Sequence, residues 1–205
     1  MQFASAFLEK ESPELLIAAD KGLAFCKEKE ILPTHIVGDF DTLGESLLPE
    51  YEALGIPIHK YNPVKDDTDT EIAIRLAMDL KTEKITILGA SEGNRLDHLF
   101  GNVQSMVFPA EEGIECCMLD AHNRVRVLTK TTNIKKEEQY GKYISLIPLT
   151  TEVDHVTLTG LKYPLKDFCF RVGESGSLGI SNELSEEEGT IAFQNGIFLM
   201  IESRD

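Results

Sequence analysis

The sequence has no tryptophan, few cysteines and no long apolar run, and these absences exclude several classes of protein. The four cysteines are Cys26, Cys116, Cys117 and Cys169, and none of them has CxxC spacing. A thioredoxin-type redox motif and the common zinc modules are therefore excluded. No apolar run is long enough to cross a bilayer, and no signal peptide is visible. We expect a globular protein of the reducing cytoplasm.

Basic residues are scarce relative to acidic ones. The chain has 35 Asp and Glu against 20 Lys and Arg, so its formal net charge at pH 7 is -15. Such a charge repels nucleic acid and anionic membrane surfaces unless a local basic patch offsets it. The pair Lys135-Lys136 is followed at once by Glu137-Glu138 and forms no such patch. We expect neither a nucleic-acid partner nor a membrane partner.

Strand and helix patterns alternate through the first part of the chain. Short apolar runs at residues 35–40, 56–61 and 84–89 are each followed by apolar residues at helical spacing. Glu115–Leu119 closes the series as a further strand of the same sheet. This alternation predicts an α/β domain at residues 1–122, with a mostly parallel sheet and helices on both faces.

The helical signal ends near residue 123, and short strand-like runs continue to the C-terminus. The last two runs, residues 190–194 and 197–201, are joined by Asn195-Gly196, a dipeptide typical of two-residue hairpin turns. We therefore expect these two strands to pair with each other. The pattern fits a sandwich or a partial barrel, and we predict a smaller all-β sandwich at residues 123–205.

Three acidic segments follow strands of the predicted α/β domain. They contain Asp39 and Asp41, then Asp66 and Asp69, and finally Asp97. Ligands of an open α/β sheet bind beyond the carboxyl ends of its strands, so these segments should converge on one site. Carboxylates held together repel one another unless a cation neutralises them. Oxygen ligands without a Cys or His cluster suit a hard ion, and we predict Mg2+.

The first two segments also have simpler interpretations. Asp39 and Asp41 share one face if the strand continues, and can then address one ion, but they can equally form a polar turn. Thr68 and Glu71 have the spacing of a capping box, which only starts a helix. A capped helix start is nevertheless a favourable place for phosphate, so the two roles of Thr68 are compatible.

The third segment offers a phosphate ligand. Arg95 can bind a phosphate group through two parallel hydrogen bonds, and Asp97 can orient its guanidinium. His98 is either an acid–base group or a structural hydrogen-bond partner at the start of a helix. The case for function comes from all three segments occupying corresponding places in one sheet.

Taken together, the segments resemble the thiamine pyrophosphokinase family. The resemblance covers nearly the whole chain, and its motifs are Ala19-Asp20 followed by Gly22, Gly38-Asp39-Phe40-Asp41, Asp66-x-Thr68-Asp69, Arg95-x-Asp97-His98 and Gly179-Ile180-Ser181-Asn182. It implies an α/β catalytic domain that binds ATP, a β-sandwich that helps to bind thiamine, and a homodimer with sites shared between chains. The implied reaction converts thiamine and ATP to thiamine diphosphate and AMP.

The resemblance also implies a role for each candidate residue. Thiamine would contact Ser181 and Asn182, and Asp97 would orient either Arg95 or the attacking hydroxyl. The nucleotide would contact Asp20, Asp66, Thr68, Arg95 and His98. The ligands of Mg2+ would be Asp39, Asp41, Asp66 and Asp69. The catalytic group would be Asp39, Asp41, Asp69, Arg95 and Asp97.

Three departures from the family pattern leave other functions open. The strand and glycine-containing loop that usually begin the family do not precede Met1, Lys21 stands where glycine is usual, and residues 89–95 are one residue longer. A non-catalytic nucleotide sensor fits if the missing strand has disabled the chemistry. A nucleotide-sugar transferase also fits a DxD metal site, but it needs a cleft for a sugar acceptor, and the second half of the chain is compact.

Overall fold

The computed structural model describes residues 2–38, 48–60, 68–91, 95–174 and 176–205. The chain divides into two compact units. The first contains Met1–Ile85 and Glu92–Ser105, and the second contains Thr86–Ser91 and Met106–Asp205. Among the described helices, none combines the length and the apolar character needed to span a membrane.

The first unit is built on a three-stranded parallel sheet. Its strands lie in the order β1 (Ile17–Ala19), β2 (His35–Gly38) and β3 (Ile58–Lys60). The central strand β2 pairs with both neighbours, so that Val37 lies opposite Ala19 on one side and His59 on the other. Five helices accompany this sheet within the described part of the unit: α1 (Gln2–Glu11), α2 (Lys21–Glu28), α3 (Leu48–Ala53), α4 (Asp69–Asp79) and α5 (Leu96–Ser105).

Apolar side chains from strands and helices form the core of this first unit. Leu23 of α2 and Ile36 of β2 are fully buried, and Leu48 and Tyr51 of α3 join the same cluster. Burial of a large apolar side chain contributes about 1.5–3 kcal/mol, so these contacts hold the strands and helices together. Helix α4 packs against β1 and β2, and α5 packs against α4. The strand ends and helix starts that carry candidate residues are thereby fixed in one unit.

The second unit is a β-sandwich. One sheet has six strands in the order β11 (Asn182–Glu183), β8 (Tyr143–Pro148), β13 (Phe198–Ser203), β6 (Asn123–Leu128), β5 (Glu115–Leu119) and β4 (Lys84–Leu88). The first two residues of β4 belong to the first unit, and the second unit begins at Thr86. The other has four, in the order β10 (Leu165–Arg171), β9 (Glu152–Thr159), β12 (Glu188–Ala192) and β7 (Thr132–Lys135). A short helix α6 (Val107–Glu111) and a 3-10 helix (Lys136–Glu138) complete the unit.

Side chains from both sheets meet in the core of the sandwich. Phe198 of the six-stranded sheet contacts Phe170 of the four-stranded sheet, with ring centroids 5.3 Å apart and planes at 86°. Phe193 contacts Phe198 in the same edge-to-face manner. Such aromatic pairs add about 0.5–1.5 kcal/mol to the burial of their area. The parallel sheet with helices and the β-sandwich together confirm the predicted fold class.

The predicted hairpin at Asn195-Gly196 is wrong. Strand β12 pairs with β7 and β9 in one sheet, whereas β13 pairs with β6 and β8 in the other. The dipeptide therefore lies in a crossing between the sheets, where Gly196 has φ of 96° and Asn195 O accepts a hydrogen bond from Asp154 N. Because Ile191 and Phe198 face one core from opposite sheets, separating the strands buries both side chains.

The assignment of β4 and β5 to the parallel sheet is also wrong. Both strands lie in the six-stranded sheet, and β5 pairs with β6 in antiparallel register, with Cys117 opposite Arg126. For β5 the reason is local: Asp120 N donates to Asn123 O at 3.0 Å, so the chain reverses at once after β5. Strands joined by so short a turn pair antiparallel.

Candidate functional site

Thr68 and Asp69 begin helix α4. Thr68 has an extended backbone, and its hydroxyl oxygen accepts a hydrogen bond from Glu71 N at 3.3 Å. The predicted N-cap is therefore confirmed. The Glu71 carboxylate bonds Arg75 Nη2 at 2.8 Å, four residues along the same helix. Asp69 is partly buried in the first turn, where the helix dipole stabilises negative charge.

Asp20 stands at the carboxyl end of β1. It has φ of 41° and ψ of −116°, a conformation that is strained for any residue except glycine. Although Asp20 occupies the N-cap position of α2, its side chain makes no capping hydrogen bond. Its Oδ1 atom is buried and has no hydrogen-bond partner among the described residues. Buried carboxylate oxygens are normally bonded, so this atom is suited to a ligand that donates a hydrogen bond or carries positive charge.

Arg95 and Asp97 form an ion pair at the start of α5. Arg95 Nε donates to Asp97 Oδ1 at 3.0 Å, and Arg95 Nη2 donates to Asp97 Oδ2. The two side chains are 68% and 63% exposed. A guanidinium has five N–H donors, so three of those on Arg95 lie outside this pair. Asp97 thus orients Arg95 for a further anionic partner.

The ion pair changes the acidity of Asp97. The hydrogen bond from Arg95 is the largest cause and lowers the pKa of Asp97 to about 2, with a smaller contribution from the backbone N–H of His98. Both oxygens of Asp97 bond the guanidinium of Arg95. Of the two roles open to Asp97, the geometry favours orientation of Arg95. His98 is exposed in the first turn of α5.

Asp39, Asp41 and Asp66 lie outside the described residues. Asp39 follows Gly38, the last residue of β2, and Asp66 precedes the cap residue Thr68. Convergence of the three acidic segments therefore stays a prediction. Among the candidate residues that are described, the structure brings Arg95 into contact with Asp97.

The segment Gly179–Asn182 lies beside strand β8. It contains one residue more than the stretch of β8 that it faces, residues 144–146. Its first residue accepts a hydrogen bond from Leu146 N at 2.7 Å, and its last residue pairs with Ile144. The two middle residues therefore oppose the single residue Ser145, which is a β-bulge. A Cβ on the first residue would lie 2.1 Å from Leu146 O, so the close approach requires glycine.

Ser181 is one of the two residues in this bulge. Its backbone has φ of 57°, and its side chain is exposed. Its N–H donates to the hydroxyl oxygen of Ser145 at 3.0 Å. The hydroxyl of Ser181 is thus presented to solvent by a backbone that bonds a buried side chain.

Asn182 is 4% exposed, and most of its amide group is already hydrogen-bonded. Its Oδ1 accepts from Tyr163 N at 3.0 Å and from Glu183 N at 2.9 Å, while its Nδ2 donates to Tyr163 O at 2.9 Å. One N–H of Nδ2 lies outside these bonds. The amide holds the backbone of Tyr163, whose side chain is 56% exposed. Sequence reasoning missed Tyr163, because only the tertiary contact with Asn182 singles it out.

Another group of potential metal ligands lies on strands β9 and β10. Within the described part of the chain, Glu152, Asp154 and Cys169 each place one ligand atom within 4.8 Å of the others. The Cys169 thiol donates to Asp154 Oδ1 at 3.0 Å, and this hydrogen bond raises the pKa of Cys169. Arg171 Nε bonds Glu152 at 3.3 Å. The two carboxylates of this group are thus already engaged, Asp154 by the thiol proton of Cys169 and Glu152 by the guanidinium of Arg171.

A surface cavity of about 690 Å³ lies nearby in the same sheet. Its lining includes His155 and Asp167, whose Nδ1 and Oδ1 atoms are 2.6 Å apart. Among the described residues that line the cavity, none was predicted from the sequence to bind a ligand.

Two family models match the chain. The model described as "Thiamin pyrophosphokinase, catalytic domain" matches residues 8–118. The model described as "Thiamin pyrophosphokinase, vitamin B1 binding domain" matches residues 131–198. Together they span more than half of the chain and confirm the resemblance found in the motifs.

Curated and solved proteins agree with these models. "Thiamine pyrophosphokinase" of Bacillus subtilis (strain 168) is 33% identical over 191 residues, which cover 93% of this chain and 88% of the relative. The crystal structure of thiamine pyrophosphokinase from Bacillus subtilis superposes with a TM-score of 0.85 at 33% identity, covering 97% of this chain and 92% of that one. The corresponding structure from Geobacillus thermodenitrificans gives 0.82 at 33% identity, covering 97% and 91%.

Proposed function

Because the chain belongs to the thiamine pyrophosphokinase family, we propose that it transfers the diphosphate of ATP to the hydroxyl of thiamine, with AMP as the other product. The chain is an enzyme of that family, as its motifs indicated. One observation carries the proposal. Every candidate nucleotide and metal residue falls within the matched catalytic segment, and Ser181 and Asn182 fall within the matched vitamin B1 segment.

The first unit supplies the nucleotide and acid residues of the proposal. Arg95, oriented by Asp97, binds the transferred phosphate through the donors that Asp97 leaves available. Thr68 begins a helix whose N-terminus favours phosphate, and Asp20 offers a buried oxygen to the nucleotide. Asp66 and His98 complete the proposed nucleotide contacts.

The reaction requires one bond to form and one to break. The thiamine hydroxyl oxygen bonds to the β-phosphorus of ATP, the bond from that phosphorus to the α-phosphate oxygen breaks, and AMP leaves with that oxygen. The hydroxyl proton is released as this bond forms, and both oxygens of Asp97 are engaged by Arg95. Such transfers depend mainly on positioning and on charge stabilisation, and Arg95 contributes both.

Mg2+ fits the donor set of this unit. Its proposed ligands are the carboxylates of Asp39, Asp41, Asp66 and Asp69, all of them hard oxygen donors. The partly buried Asp69 at a helix start and the unpartnered Oδ1 of Asp20 support an acidic site that favours a cation. When bound, the ion would neutralise phosphate charge.

The second unit supplies the thiamine contacts. The exposed hydroxyl of Ser181 can both donate to and accept from an aminopyrimidine edge. Asn182 has one N–H available for the same purpose, and it braces Tyr163. The exposed ring of Tyr163 offers an aromatic surface for a thiamine ring, which the absence of tryptophan leaves to Phe or Tyr.

Assembly and location complete the proposal. We expect a homodimer in which each site takes Asp39 from one chain and Ser181 from the other. The large negative charge supports a protein without nucleic-acid or membrane partners. The four cysteines are free thiols, which supports work in the cytoplasm.

The test follows the label of the γ-phosphate. Purified protein is incubated with thiamine, Mg2+ and ATP labelled at the γ-phosphate, with controls that lack thiamine or contain a metal chelator. We expect the label to appear in thiamine diphosphate. Unlabelled AMP should form in an equal amount. Label released as free phosphate together with ADP, or ATP binding without turnover, contradicts the proposal.

A further inference from the structure

The bulge at Ser181 leaves one backbone donor without a partner in the strand ladder. Ser181 is one of the two residues that face Ser145, and its N–H is not bonded to a carbonyl of β8. The hydroxyl oxygen of Ser145 accepts this hydrogen bond instead, at 3.0 Å. A side chain therefore takes the place of a backbone carbonyl at this point.

Ser145 is well placed for this task. Its neighbours Ile144 and Leu146 are core residues that are 0% and 3% exposed, so Ser145 points to the other face of the sheet. It is itself 8% exposed. Without the hydroxyl, the N–H of Ser181 would lose its partner, and the left-handed φ of 57° would lose a contact that stabilises it. Ser181 could then relax to negative φ, which would turn its side chain.

We propose that Ser145 is a positioning residue of the thiamine site, holding Ser181 so that the hydroxyl of Ser181 faces thiamine. This inference rests on the proposed function. Ser145 itself need not contact thiamine, and replacing it should leave the binding of ATP unchanged. The expected signature is a change in the response to one substrate alone.

The test compares Ser145→Ala with Ser145→Thr, which keeps a hydroxyl. In Ser145→Ala we expect KM for thiamine to rise about tenfold, the effect of losing roughly one hydrogen bond, with kcat and KM for ATP within about twofold. Ser145→Thr should restore a low KM for thiamine. The matched control is Ser105→Ala, which removes another buried serine hydroxyl, 4% exposed, that donates to Gly101 O at 2.9 Å. It should leave KM for thiamine unchanged.

Several outcomes overturn the inference. These are an unchanged KM for thiamine in Ser145→Ala, equal increases for both substrates, or no rescue by threonine. Should the alanine variant fail to fold, Ser145→Cys, with its weaker acceptor, replaces it in the comparison.

Two measurements do not depend on turnover. The affinity for thiamine, measured by calorimetry, should weaken in Ser145→Ala. The hydrogen exchange of the Ser181 amide should become faster in the same variant. Wild-type protein that binds thiamine without making thiamine diphosphate contradicts the proposed function alone. An unaltered affinity or exchange rate contradicts the role of Ser145.

Discussion

Arg95 and Asp97 are joined by two parallel hydrogen bonds although only one residue separates them, with Nε to Oδ1 at 3.0 Å and Nη2 to Oδ2. The pair is exposed, so its contribution to stability is small. Its effect is on geometry and charge. The carboxylate fixes the plane of the guanidinium and leaves its other donors directed elsewhere, as a phosphate-binding arginine requires.

The ion pair leads to a prediction for the pH at which the Asp97 carboxylate is protonated. Because the pKa is lowered to about 2, the carboxylate stays ionised and the pair stays formed at neutral pH, and the pair is lost only as the pH falls towards 2. The carboxyl carbon of Asp97 should titrate near that value by NMR. In Arg95→Ala the midpoint should return towards the ordinary value of 3.8. A wild-type midpoint near 4 contradicts this prediction.

Arg95→Ala should also lower kcat, by about 100-fold, the usual cost of removing one group that stabilises transition-state charge. Arg171→Ala is the matched control, since Arg171 is also exposed and ion-paired, with Glu152. Its kcat should change less than about twofold, because exposed pairs contribute little. Equal losses in both variants would assign the effect of Arg95 to stability.

The acidic residues predict opposite effects on activity and stability. Asp39→Asn, Asp41→Asn and Asp69→Asn should each abolish diphosphate transfer, because each removes a proposed metal ligand. In metal-free buffer the melting temperature should stay constant or rise, since crowded like charges repel. Thermal unfolding with and without Mg2+ provides the measurement, and only the wild type should gain stability from the ion. A large fall in melting temperature in all three variants would indicate a purely structural role.

Replacing Glu202 should cause a large loss of stability. Its carboxylate is fully buried and bonds Arg124 at 2.7 and 2.8 Å, Arg126 at 3.2 Å and Tyr140 N at 3.1 Å. Glu202→Gln removes the buried carboxylate charge that both largely buried guanidinium groups bond, which should cost about 3–5 kcal/mol of unfolding free energy. Glu50→Gln, which disrupts an exposed pair with Lys27, should cost less than about 1 kcal/mol. Denaturant unfolding measures both, and similar values would refute the prediction.

A site shared between chains predicts complementation. Inactive Asp39→Asn protein is mixed with inactive Ser181→Ala protein, and the subunits are allowed to exchange. Each heterodimer then contains one site with both defects and one site with neither, so part of the activity should return. The control mixes Asp39→Asn with Asp41→Asn, whose defects both lie in the acidic group and should not complement. Demonstrated exchange without recovery would place both residues in one chain's site or remove Ser181 from it.

Local features of this fold could be predicted from the sequence because their causes are local. Thr68 and Glu71 stand three residues apart, and the backbone N–H of Glu71 reaches the threonine hydroxyl without help from the rest of the chain. Strand and helix periods depend only on which residues share a face. The family motifs are also local patterns, and the matched family models confirm the family that the motifs indicated.

Pairing between strands required the tertiary structure. Asn195-Gly196 has the chemistry of a hairpin turn, yet β12 and β13 lie in different sheets because Ile191 and Phe198 bury more apolar surface on opposite sides of one core. A dipeptide specifies a turn but not the strands that the turn joins. Burial summed over two whole sheets outweighs the preference of two residues.

The sequence by itself determined which chemical groups the chain carries and in what order: acids after strands, an arginine before an aspartate, and a Gly-Ile-Ser-Asn segment. Only the tertiary structure decided which contacts the described groups make. It buried Asn182 as a brace for Tyr163, and it brought Ser145 to Ser181 across 36 residues of chain. The physical reason is register: a bulge of one residue moves a side chain and a backbone donor out of the ladder, and no spacing along the chain records it.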